Sequence, residues 1–186
     1  MKTTSIVLRS AIAVCFAFVM SSASCDLFDK VDDVTFTTTF SHTFKVNETT
    51  DGTNVAYELK ELLDAADLSP DFKKYESKIK SVTITGVTYV ISNCSDGAIV
   101  NDATVGFSAA SASTASTVAS LGVENLKAIE GQTKTLSYNQ AQIDALANLL
   151  KTDKKANIFL NATIAKTPIK FDAVVTVNAT IVANAL

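Results

Sequence analysis

The chain has no tryptophan, two prolines, one histidine, three cysteines and six glycines in 186 residues. Each scarcity closes off a kind of chemistry. A single histidine, His42, cannot complete a catalytic triad or a usual zinc site without partners, and no HExxH, CxxC or Gly-x-Ser-x-Gly pattern supplies them. Gly86, Gly97 and Gly106 form no cluster able to cradle a phosphate, so P-loop and dinucleotide-binding patterns are absent. The carboxylate pairs Asp64 with Asp67 and Asp96 with Asp102 have no diagnostic spacing, and Asp96-Gly97 lacks the alternating oxygen ligands of a calcium loop. No metal, no cofactor and no enzymatic activity are expected. Scarce proline beside abundant Thr, Ser, Val, Ala and Asn argues for a β-rich globular chain and against disorder.

What is present begins with a leader. Lys2 and Arg9 precede the apolar run from Ile12 to Met20, which falls short of the roughly 20 residues a permanent bilayer span requires. Small residues follow from Ser21 to Ser24, so residues 1–24 read as a secretory signal peptide. Its removal leaves 14 basic against 19 acidic residues, a net charge of about −5 that argues against nucleic acid as a partner. About 160 residues remain, enough for one domain with a real core.

The junction Ser22-Ala23-Ser24-Cys25 resembles the lipobox of bacterial lipoproteins, departing from it where Ser22 stands for the family's aliphatic residue. The resemblance implies lipidation at Cys25, an acidic tether over residues 25–33, and a lipid-anchored globular domain over residues 34–186. It also implies a membrane as partner and a bacterial cell envelope location, at the outer membrane. Acyl chains contribute about 0.8 kcal/mol per buried methylene, so two or three of them hold a domain durably. With Cys15 in the leader and Cys25 committed, Cys94 has no partner for a disulfide and reads as a small buried hydrophobe.

Along the chain, Val34 to Val46 alternates with period two: Val34, Phe36, Phe40, Phe44 and Val46 share one face with His42, and threonines line the other. So long a strand is expected to bend or to pass between sheets. Asn47 to Asn54 reads as a polar connection, and Val55 to Leu63 as a strand followed by a turn. Ser69 as N-cap with Pro70 after it, and Phe72, Tyr75 and Ile79 on one face, predict a short helix. Lys80 to Ser92 predicts a strand that slips by one at Gly86, as a bulge would make it.

Asn93 to Gly97 is a turn and Asp102 to Ala110 a strand, while the Ser/Ala/Thr run from Ser108 to Ser120 reads as a loop. Leu126 to Ile129 and Thr133 to Leu136 read as short strands around a Glu130-Gly131 turn. Asn139 caps a second helix with Ile143, Leu146, Ala147 and Leu150 on one face. Ile158 to Ala165 and Lys170 to Asn184 are the closing strands, parted by Thr167-Pro168.

This tally predicts a mainly β fold, an immunoglobulin-like two-layer β-sandwich with two short helices; a split barrel is the alternative. The pattern resembles small, uncharacterised sandwich lipoproteins of Bacteroidetes-type envelopes, and more distantly the late-embryogenesis desiccation-related domains. The expected function is a non-catalytic interaction or structural module at the envelope, with an unknown protein or small-molecule partner. Two other readings are a binder of a small apolar ligand such as a lipid, and a subunit of a surface fibre or adhesin that pairs through an edge strand or the long terminal strand.

Overall fold

The computed structural model describes residues 33–185, so the leader, Cys25 and all but the last residue of the tether lie outside the described residues. Two very long strands dominate it. β1 (Asp33–Asp64) and β7 (Lys155–Asn184) pair antiparallel from Asp33↔Asn184 to Asp64↔Lys155. A straight strand of that length would span about 105 Å at 3.3 Å per residue. Instead the ribbon folds back on itself, bringing His42 in the first limb of β1 within 4.0 Å of Glu61 in the second.

The bend has a chemical cause. The β1–β7 register breaks between Glu48 and Gly52, and β7 carries Pro168 opposite the break, where a residue without an N–H cannot extend the ladder. Thr167 compensates by donating its hydroxyl to the carbonyl oxygens of Thr50 (2.5 Å) and Gly52 (3.4 Å), and Glu48 accepts the Thr50 N–H at 2.8 Å. Gly52 is required there, because a Cβ would lie 2.7 Å from Val55 Cγ2. Across this corner the buried parity switches: Ile169 to Ala183 bury odd positions of β7, while Ala156 to Ile164 bury even ones. Each limb therefore presents its apolar side chains inward.

The remaining strands attach to the other side of β7. β2 (Ile79–Ser92) pairs with its second limb and β3 (Ile99–Ser108) with its first. β4 (Ser116–Leu121) and the two-residue β5 (Glu124–Asn125) pair with β3, and β6 (Thr133–Thr135) pairs with β2. The expected immunoglobulin-like two-layer sandwich is thereby corrected. In such a sandwich each sheet has its own strands, whereas here β1 and β7 run through both layers and make one curled seven-stranded sheet. The stretches 47–54 and 166–168 are polar because they form a corner, and backbone pairing resumes beyond them.

Among the described residues three helices accompany the sheet: α1 (Ala65–Leu68), α2 (Pro70–Tyr75), which runs on into a 3₁₀ turn at Glu76–Lys78, and α3 (Gln140–Thr152). Ser69 caps α2 as the sequence predicts, accepting from the Phe72 N–H, and Thr38 of β1 donates to the same hydroxyl at 2.7 Å. Phe72 meets Phe40 edge-on at 5.6 Å, so α2 packs against the inward face of β1's first limb. Ile79 opens β2 and does not extend the helix. Asn139 caps α3, which buries Ile143, Leu146, Ala147 and Leu150 as expected. Leu126 to Ile129 forms turns, with Leu126 buried, where a strand was expected.

The Ser/Ala/Thr run divides. Residues 109–115 form a loop and Ser116–Leu121 is β4. Asn157 on β7 holds the loop, its Nδ2 lying 3.0 Å from the carbonyl oxygen of Ala109, 3.2 Å from that of Ala110 and 3.3 Å from that of Ala112. Phe159, two residues on, is 2 % exposed although it lies outside the main core cluster. The Lys60 ammonium lies 5.4 Å from its ring centroid while also donating to the Ala112 carbonyl. Replacing Asn157 by Ala leaves these carbonyls unmatched, and urea unfolding is expected to show a loss of about 2 kcal/mol with an unchanged denaturant slope.

At the far end of the ribbon, Asp64 caps α1 through the Ala66 N–H and meets the Lys155 ammonium at 2.7 Å. The Lys155 hydrogen bond holds the Asp64 carboxyl below its ordinary value, against the opposing effect of burial. A depressed carboxyl contributes stability that is present above its unfolded pKa and lost as pH falls through its folded one. Asp64→Ala is therefore expected to lower stability by about 1 kcal/mol near pH 7, with the gap from wild type closing below about pH 4 in pH-dependent thermal melts.

Candidate functional site

The feature that stands out is the outer edge of β1. Among the described residues β1 pairs with β7 alone, so one side of a 32-residue strand carries backbone donors and acceptors with no strand beside them. The first limb, from Asp33 to Val46, is rich in Thr and Phe, contains no proline, and has Lys45 as its only lysine. Proteins commonly blunt such edges with lysine, proline or bulges. Here the bulge is deferred to the corner beyond Glu48.

The two faces of this limb differ sharply. Inward, Phe40, Phe44 and Val46 are buried, while Phe36 is half-buried against Tyr75 with ring centroids 5.7 Å apart. Outward, hydroxyl groups line up across three strands. Thr37, Thr180 and Thr83 form one rank; Ser41, Thr176 and Thr88 form another, with the Ser41 and Thr176 hydroxyls 2.9 Å apart. The alternation seen in the sequence is thus an apolar-in, hydroxyl-out strand at a sheet boundary.

The candidates for chemistry are occupied elsewhere. His42 lies at the rim of the core, 5.1 Å from the Phe44 ring and 4.0 Å from Glu61, too long for a hydrogen bond. Cys94 is a free, buried thiol whose pKa is pushed up, first by burial and then by the nearby Glu130 carboxylate. Its own N–H donates to Glu130, which also holds Lys127 at 2.8 Å. The carboxylate pairs do not converge on a shared ligand site: Asp64 is taken up by Lys155 and the α1 cap, and Asp96 lies fully exposed 3.9 Å from Lys127. Among the described residues no three His, Cys, Asp or Glu side chains gather to hold a metal ion.

The interior holds a small apolar cavity between the limbs among the described residues. Tyr89, Val105, Leu160, Phe171 and Val175 surround it, and its volume is about 40 Å³. A ligand site occupies about 300–1,000 Å³. The cavity admits water-sized molecules and no lipid.

No family model and no curated protein matches the chain. Similar solved structures come from virus particles. A chain of Desmodium yellow mottle tymovirus is 7% identical, with 82% of this chain and 90% of that one covered and a TM-score of 0.37. The BFDV capsid protein is 11% identical, with 80% and 99% covered and a TM-score of 0.42. A chain of Cocksfoot mottle virus is 12% identical, with 81% and 95% covered and a TM-score of 0.36. The comparisons lead to these and not to bacterial envelope lipoproteins. The expected Bacteroidetes-type lipoprotein family, the membrane partner held through a lipid anchor and the outer-membrane location are withdrawn on that finding.

Sequence reasoning named strand pairing as one route to assembly but left open which strand would pair. The long terminal strand is excluded, because β7 lies between β1 on one side and β2 and β3 on the other. The longest open boundary belongs to β1, with the shorter β4 and β6 ending the sheet elsewhere. Cys94, being buried with a raised pKa, is expected to resist alkylation by iodoacetamide at pH 7.5 in the native state and to react fully in denaturant, as followed by intact mass.

Proposed function

We propose that the protein is a structural building block that joins copies of itself by adding strands at the free edge of β1. One observation carries this reading: the longest strand of the domain stands at the boundary of its sheet with one neighbour where two are possible. Strand addition supplies affinity through main-chain hydrogen bonds, and the hydroxyl and apolar faces on either side give it a preferred orientation. No reactive group is needed for such a role.

Sedimentation velocity on the full chain tests it directly. Species larger than the monomer are expected to grow with protein concentration. Placing lysines on the exposed edge, as Thr37→Lys with Ser41→Lys, is expected to weaken association at least tenfold while the thermal melt stays close to that of wild type. A wild-type protein that remains monomeric at every concentration would overturn the reading.

A further inference from the structure

The edge also restricts how a second copy can sit on it. In an antiparallel pair, residues directly opposite one another project to the same face of the sheet. On the first limb of β1 the odd positions project outward and the even ones inward. A two-fold β1–β1 pair therefore has to oppose residues of like parity. A slip of one residue would set Phe40 and Phe44 against the hydroxyl face.

Charge selects among the registers that remain. Within this limb the fixed charges are Asp33 and Lys45, twelve residues apart and both outward. Centring the two-fold on Thr39 places Asp33 opposite the second copy's Lys45, and by symmetry Lys45 opposite the second copy's Asp33. The same register sets Thr37 against Ser41 and Thr35 against Thr43 outside. Inside, it sets Phe36 against His42 and Val34 against Phe44. Moving the centre by one residue keeps parity but separates the opposite charges by two positions along the strand, about 7 Å. Asp33 already holds its own chain's Lys80 at 2.6 Å, so an incoming Lys45 would complete a cation–carboxylate–cation cluster at each end of the pair.

From this we infer that two copies pair antiparallel through residues 33–45 of β1, related by a two-fold axis at Thr39. The occupant of the edge is thus a second copy of this chain. The inference rests on the assembly reading above and adds to it a register and a symmetry. The contacts α2 makes with this limb run through the inward residues Phe36, Thr38 and Phe40.

Single cysteines in the full chain test the register. Opposed residues in an antiparallel ladder have Cα atoms about 4.5–5.5 Å apart, within the range of about 4.4–6.8 Å that a disulfide spans. Thr39→Cys is expected to give a 39–39 linked peptide by mass spectrometry under mild oxidation. Thr37→Cys, displaced by four residues or about 13 Å from its counterpart, is expected to give at least tenfold less. Thr37→Cys combined with Ser41→Cys should restore a 37–41 link. Lys45→Glu is expected to weaken association at least tenfold, and Lys166→Glu, near the corner, to leave it unchanged.

If the wild type self-associates but links form at 37–37, at another register or not at all, this inference falls while the assembly reading stands. If the wild type never associates, both fall.

Discussion

The backbone ladder between β1 and β7 is the constraint on which everything else depends. Thirty residues of β7 must find partners for two rows of peptide groups, and an orphaned buried group is costly. β1 satisfies one row on both sides of the corner break, and β2 and β3 divide the other on either side of residues 165–171. Once that arrangement is set, β7 is central in both limbs and β1 is left at the boundary of both. The edge assigned to assembly is therefore a consequence of how the central strand is satisfied.

A ribbon of this length stays within a small domain only if it turns, and the turn has to reverse direction without exposing the core. The break at Glu48 to Gly52, the proline opposite it and the Thr167 hydroxyl together provide that corner. The switch in buried parity lets one strand line the interior on both limbs. Fully buried Phe40, Phe44 and Val46 belong to the first limb of β1 and Leu63 to the second, yet all four lie in one core cluster.

Much of this was legible in the residues. The caps at Ser69 and Asn139, the apolar stripe of α3, the slip near Gly86 and the hydroxyl face of the first strand all arise from interactions spanning a few positions, and all appear as read. The bend expected within Val34 to Val46 falls beyond it, at the register break between Glu48 and Gly52. The two polar stretches misled, because a corner in a continuous ribbon and a loop between separate strands draw on the same residue types: Asn, Asp, Gly, Thr and Pro. Phe159 was equally opaque. It is buried outside the core cluster, with the Lys60 ammonium over its ring and that lysine also donating to Ala112 of a distant loop.

By itself the sequence determined the apolar face of the long strands and the caps that start α2 and α3. These are local properties, decided by side-chain period and by groups within a turn of one another. Only the tertiary structure decided that two pairs of strands are in fact two strands, that they fold into one curled sheet and not two stacked ones, and that β1 stands at its edge. Those outcomes depend on pairings between residues more than a hundred positions apart, such as Phe40 with Val177. Alternation tells a strand which face to bury and is silent on which neighbour it meets.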